Sequence, residues 1–201
     1  MLSQALLSQI RAALAATLLF TLILGVGYPL AATGIAQLAF PRQADGSLIR
    51  DASGAVIGSA LIAQKFERAD YLHSRPSAAG ADGYDASGSS GSNLGPTNPA
   101  LAERMVEAAT ALKGEGGARI PADAVTTSAS GLDPHISPEN ARRQAARIAA
   151  ARGVPEADVR RVIDARVVPP ALGIFGQPTV NVLETNLALD AAVPRRQPPA
   201  S

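Results

Sequence analysis

The order of apolar and polar residues divides the chain near residue 42. From Ala12 to Pro41 thirty consecutive residues carry no charge, and the most apolar part, Ala12–Leu30, is nineteen residues long. As a helix rising ~1.5 Å per residue, that part covers about 28 Å, close to the hydrocarbon thickness of a bilayer. Lipid offers no partner to an unpaired backbone N–H or C=O, so a single spanning segment has to be helical. The pattern predicts a transmembrane helix over residues 12–38, behind an N-terminal flank of residues 1–11. Gly25 and Gly27 would weaken a soluble helix. In a membrane they let a second helix approach closely and mark an expected packing face. A cleaved signal peptide is the competing reading, with Arg11 closing its basic region and Gly34-Ile35-Ala36 supplying small residues. Its apolar region would exceed the roughly 7–15 residues usual in such peptides, which favours a retained anchor.

Past residue 42 the apolar runs are short and punctuated. Ser47–Arg50 and Ala55–Gly58 flank the turn-forming Asp51-Ala52-Ser53-Gly54, a β-hairpin signal, and Ala60–Gln64 is expected to extend a strand. From Phe66 to Asn98 neither period is sustained, yet Phe66, Tyr71 and Tyr84 point to a docked segment and not a disordered one. Three helices follow. Asn98 and Pro99 open the first, whose stripe is Leu101, Met105, Ala109 and Leu112, and Gly114, Gly116 and Gly117 end it. Val125-Thr126-Thr127 predicts a short strand. Ser137 and Pro138 open the second helix, which buries Ala141, Ala145, Ile148 and Ala149 and stops at Gly153. Pro155 opens the third, with Val159, Val162, Ile163 and Val167 as its stripe. Thr179–Leu183 alternates like a strand and leads into Asn186-Leu187-Ala188-Leu189. The expected fold class is therefore a single N-terminal transmembrane helix followed by a small mixed α/β soluble domain over residues 42–190. Residues 191–201 form an expected flexible, Pro-rich tail.

Composition narrows the chemistry. The chain lacks cysteine, which excludes disulfides, thiolate metal sites and a thiol nucleophile. Only Arg11 of the 18 basic residues precedes residue 42 and no acidic residue does, so the remainder holds 17 of each sign. A neutral domain lacks the electrostatic footprint of a nucleic-acid binder. Charge does not orient the span either, because long translocated domains largely ignore the positive-inside rule. The only lysines, Lys65 and Lys113, precede Phe66 and Gly114, so there is no P-loop, and no Asp precedes a Lys as an aspartyl-phosphate segment requires. His73 and His135 have no second ligand at helical or hairpin spacing, which argues against a metal site. Ser130, Asp133 and His135 read as a turn feeding a capped helix and not as a triad. Gly25-Val26-Gly27-Tyr28 resembles part of a potassium filter, but a filter needs four re-entrant copies, and here one copy sits inside a span. The seven arginines from Arg142 to Arg166 are expected to decorate a solvent face. What remains is an anchored protein without catalytic equipment, whose work is done through partners.

Several segments carry a resemblance. Gly58–Gln64, Tyr71–Ala78 (YLHSRPSA), Ser90–Asn98 (SGSNLGPTN), Val125–Ser137 (VTTSASGLDPHIS) and Val180–Asp190 (VNVLETNLALD) occur in an order that resembles the C subunit of the Kdp potassium-transporting ATPase. Ala63, where glycine is expected, and Leu72, where an aromatic is expected, depart from it. The resemblance implies a non-catalytic, single-pass subunit of the bacterial inner membrane with its domain on the outer face. Its implied partners are a channel-like A subunit that selects potassium, a P-type B subunit that hydrolyses ATP and a very small F subunit. Gly25, Gly27, Arg75, Ser92 and Asn93 are the expected partner contacts. The family is also described as a catalytic chaperone that raises the B subunit's ATP affinity in a transient ternary complex, which implies no firmly bound cofactor. Ser128, Ser130, Gly131 and Gln144 are the expected nucleotide contacts. An external domain and cytosolic ATP conflict, and the family topology favours the external domain. The alternative from another class is a secreted or anchored solute-binding or hydrolytic protein with a signal peptide.

Overall fold

Pro29 shapes the N-terminal helix. The computed structural model describes residues 2–115 and 119–194. It divides into two units, Met1–Leu48 and Ile49–Ser201. In the first, α1 (Leu2–Phe20) passes through a π-helical turn, Thr21–Gly27, into α2 (Tyr28–Ala39). Proline has no N–H, and its ring crowds the carbonyl four residues earlier, here that of Gly25. The wider turn accommodates this: the Tyr28 N–H donates to Ile23 O, five residues back. Leu6–Ala39 is one helical run long and apolar enough to cross a membrane, and none of its apolar stretch is buried within the chain. At Phe40 the backbone leaves the helix, and a short α3 (Pro41–Ala44) follows.

The second unit takes in the hairpin, β1 (Leu48–Arg50) and β2 (Val56–Ser59). Its turn is held by the Asp51 carboxylate, which accepts from the Ser53 N–H, the Ser53 hydroxyl and the Ala55 N–H. Ala60–Gln64 does not extend a strand. The Leu61 N–H turns back to Ser59 Oγ, and Gln64 Nε2 donates to Ile57 O, so the chain folds onto the hairpin. Phe66–Asn98 contains no helix or strand, as its pattern predicted, and it is docked by the hydrogen bonds described below.

Local signals placed the helices. Asn98 Oδ1 accepts from the Ala100 N–H and opens α4 (Pro99–Ala111), while Ser137 Oγ accepts from the Asn140 N–H and opens α5 (Pro138–Arg143). Gly116 and Gly117, expected to end α4, lie outside the described residues, as does the tail beyond residue 194. The helix expected to run from Pro138 to Gly153 is interrupted at Gln144, where the 5→1 bonding tightens, and resumes as α6 (Ala145–Arg152). Gly153, at φ +68°, closes it in the left-handed conformation that glycine adopts without strain. Then come α7 (Glu156–Asp164), β4 (Val167–Val168), β5 (Thr179–Asn181) and α8 (Val182–Ala192).

Three further expectations about where strands lie are corrected. Val125-Thr126-Thr127 is not a strand: a 3-10 turn, Ala122–Ala124, precedes it, and the carbonyls of Thr126 and Thr127 are taken by the Arg75 guanidinium. Val167 belongs to β4 and not to the preceding helix. The strand from Thr179 stops at Asn181, whose side chain accepts the Glu184 N–H and starts α8, so Val182 and Leu183 are helical. One strand, β3 (His135–Ile136), lies where only a turn was expected. It completes a three-stranded antiparallel sheet of order β3-β5-β4, with His135 opposite Asn181, and Val180 opposite both Ile136 and Val167. Against this sheet α5, α6, α7 and α8 bury Ala145, Ile148, Val159, Ile163, Val180 and Leu189.

Candidate functional site

Two side-chain amides grip the long loop. Asn186 on α8 takes both backbone groups of Leu72: the Leu72 N–H donates to Oδ1 at 2.7 Å, and Nδ2 donates to Leu72 O at 3.0 Å. Gln144, at the break between α5 and α6, does the same for His73, accepting its N–H at 2.8 Å and donating to its carbonyl at 3.2 Å. Buried backbone polar groups need partners, and these amides replace the neighbouring strand that the loop lacks. Gln144 is 2% exposed, and its Oε1 also accepts from Arg147 Nη2 at 2.6 Å.

The expected arginine-decorated face is wrong for three of its members. Arg160, Arg161 and Arg166 are exposed and Arg142 is partly so, but Arg143 and Arg152 are buried, and the half-buried Arg147 turns inward. Arg147 Nη1 donates to the carbonyls of Ala69 and Tyr71, and Arg143 Nη1 pairs with Glu115 Oε2 at 3.2 Å. Glu115 Oε1 lies 3.3 Å from Arg147 Nε, near enough for ionic attraction but out of line for a hydrogen bond. Burial lowers the pKa of Arg147. His73 is likewise held below the ordinary imidazole range, first by burial and then by the Arg147 charge. The sequence did hold a signal for Arg152. It continues the i, i+3, i+4, i+7 stripe of Ala145, Ile148 and Ala149, and that stripe is the buried face of α6.

The other expected residues fall into two places. Arg75 bridges the loop to the 126–133 segment, reaching Asp133 Oδ2 at 3.1 Å, Thr126 O at 3.3 Å and Thr127 O at 3.2 Å. It walls a cleft of about 600 Å³ together with Arg119, Asp123, Asp133, His135 and Glu139. Burial alone would raise the Asp133 carboxyl, but hydrogen bonds from His135 and Arg75 outweigh it and hold the group below the usual carboxylate range. Ser92 borders a second cleft of about 300 Å³, and Thr126 borders both. Asn93, exposed and at φ +52°, stands beside it in the chain.

Ser128, Ser130 and Gly131 form a turn packed on the Ser89–Gly91 stretch of the loop. Ser89 Oγ donates to Ser130 O at 3.0 Å and Ser77 Oγ to Gly131 O at 2.6 Å, while the Ser128 and Ser130 hydroxyls lie 3.3 Å apart. Gly131 has to be glycine: its φ is +67°, and a Cβ there would lie 2.5 Å from Ser90 O. Gln144 borders a different cleft, of about 320 Å³, beside His73, Glu115 and Arg143. No cleft described here is bordered by both Gln144 and the Ser128–Gly131 turn. Among the described residues, no three His, Asp or Glu side chains converge as metal ligands.

The family described as "KdpC: K+-transporting ATPase, c chain" matches residues 10–191. The chain belongs to the KdpC family. The match takes in both the apolar helix and the domain. Among curated KdpC relatives, the potassium-transporting ATPase KdpC subunit of Caulobacter vibrioides (strain NA1000 / CB15N) is 64% identical over 189 residues, covering 94% of this chain and 95% of that protein. The KdpC subunit of Caulobacter sp. (strain K31) is 60% identical, at 94% and 96% coverage. That of Beijerinckia indica is 55% identical over 196 residues, at 96% and 98% coverage. KdpC membership makes this an accessory subunit of a K+-transporting ATPase, and its one long apolar helix fits a single-pass membrane protein.

Proposed function

We propose that this chain assists assembly and coupling of a high-affinity, ATP-driven potassium-uptake complex through protein contacts. Its helix packs among the helices of a channel-like A subunit, a P-type B subunit and a small F subunit, and its domain lies on the outer face of the inner membrane. The observation that carries this reading is the family match along residues 10–191, which joins the exposed apolar helix and the domain in one subunit. Gly25 and Gly27 support the packing role. A Cβ at Gly25 would meet only Thr21 Cγ2 at 3.7 Å, and one at Gly27 only Leu22 O at 3.4 Å. Nothing inside the helix requires them to be small, and small residues at these positions leave room for the close approach of a neighbouring helix. Gly27→Leu is expected to lower co-purification of the A and B subunits with the tagged chain while leaving its membrane insertion intact, and unchanged recovery would refute the packing face. Protease added to sealed right-side-out vesicles is expected to cut the domain.

A catalytic-chaperone role, in which ATP bridges this chain and the B subunit through Ser128, Ser130, Gly131 and Gln144, is the alternative within the same complex. The paired hydroxyls of Ser128 and Ser130 at the rim of their turn support it. Gln144 separates the two readings, because its amide is engaged with His73 and Arg147. Gln144→Ala would leave the His73 backbone groups unpaired and cost about 2 kcal/mol, a fall in Tm on the order of 6 °C. We expect that fall, measured on the full chain in detergent, with the B subunit's KM for ATP unchanged in assembled complex. A raised KM at equal recovery of complex would instead establish the chaperone.

A further inference from the structure

Between β4 and β5 the chain turns its apolar side chains outward. Ala171 and Phe175 pair across a tight loop, each N–H donating to the other's carbonyl at 2.9 Å, and the Gly173 N–H donates to Pro170 O at 2.9 Å. The result is a closed knob fixed at both ends by strands of the core sheet. Leu172 is 89% exposed, Ile174 76% and Phe175 63%. Single exposed apolar residues are ordinary. Three within four positions, on a backbone held by its own hydrogen bonds, make a patch that mark an interaction site. Leu172 also sits at φ +53°, a left-handed conformation unfavourable for a bulky residue that glycine or asparagine would adopt with less strain. The chain's own packing gives no reason for a large apolar side chain there.

Charge selects the kind of partner. From Val167 to Leu183 there is no charged residue, and the chain has no tryptophan. Segments that settle on lipid surfaces carry Lys or Arg beside their apolar residues and favour Trp at the interface, so this knob is not built for a membrane. Among the described residues, the clefts that a second copy would present as sockets are bordered by charged side chains such as Arg75, Asp133, Arg104, Glu107 and Lys65, a poor match for this surface. We propose that the Ala171–Phe175 knob seats in an uncharged, apolar recess on another protein subunit of the potassium-transporting ATPase. This rests on the reading of the chain as a working subunit of that complex.

The test uses the full chain, tagged, in membranes that also contain the other ATPase subunits. The double substitution Leu172→Asn with Phe175→Ser removes the apolar surface, and asparagine suits the backbone at 172. Recovery of the other subunits after detergent extraction should fall about tenfold or more, as when an interface anchor is removed, with the domain's melting temperature unchanged. Val106→Ser, at a 66% exposed position on α4, should leave recovery unchanged. A photo-reactive benzophenone amino acid in place of Leu172 should form an adduct with another subunit. Undiminished recovery with the double variant, or an adduct only to lipid, only to a second copy, or to nothing, overturns the knob. If the unaltered chain itself recovers no ATPase subunit, the subunit reading fails instead.

Discussion

Arg152→Ala is expected to destabilise the soluble domain by about 3–5 kcal/mol, a large share of the roughly 5–15 kcal/mol that holds a typical domain folded. Its guanidinium is enclosed on every side. Nε donates to Asp70 O at 2.8 Å, Nη1 to Leu189 O at 3.1 Å and Val193 O at 3.0 Å, and Nη2 to Asp190 Oδ1 at 3.0 Å. The Tyr71 ring stacks on it at 5.4 Å, and the Tyr71 hydroxyl donates to the second oxygen of Asp190 at 2.7 Å. Asp190 is partly exposed and can be rehydrated once the arginine is gone. The penalty therefore falls on the three carbonyls that lose its donors, of which Leu189 O keeps the Val193 N–H at 2.9 Å, and on the cavity beside Tyr71. Arg152→Lys should recover only a minor part, because one ammonium cannot reproduce a planar fork directed at four acceptors. Urea unfolding of the full chain in detergent measures both, and a loss below about 1 kcal/mol for Arg152→Ala would show that the network contributes little net stability.

Asn186→Ala should rank next, at about 3 kcal/mol, since it strands the buried N–H and C=O of Leu72 together. Asn186→Asp gives a sharper version. An ionised carboxylate still accepts the Leu72 N–H, but its second oxygen faces the Leu72 carbonyl, 3.0 Å from the present donor atom. Folding then favours the protonated acid, which donates as the amide did, so the folded-state pKa of the new carboxyl lies above its unfolded value. Stability from that group is present at low pH and is lost as pH rises through the folded pKa. Urea midpoints for Asn186→Asp should therefore fall relative to the unaltered chain on going from acid to neutral pH, and parallel pH profiles would contradict the paired geometry.

The caps and the long apolar helix were legible because their causes are local. Asn98, Ser137 and Gly153 act within one turn of themselves, and thirty uncharged residues need no partner to declare a span. The two-residue strands β3 and β4 were not legible, since each exists only by pairing with β5 from elsewhere in the chain. The β-branched run at Val125–Thr127 misled for the same reason in reverse: it has strand propensity but no strand beside it. Counting arginines as solvent-facing hid Arg143 and Arg152, although the position of Arg152 on the apolar stripe of α6 was visible in the spacing. Gln144 was expected as a nucleotide contact, and its grip on His73 went unseen because it depends on a fold that brings together positions 71 apart.

Asn186 reaches back across 114 positions to hold Leu72. Contacts so distant in sequence form late, because the intervening chain must first surrender its freedom. During translation the Phe66–Asn98 segment emerges from the ribosome long before α8 exists to clasp it. The nascent chain therefore passes through a stage in which that segment has no clasp to hold it.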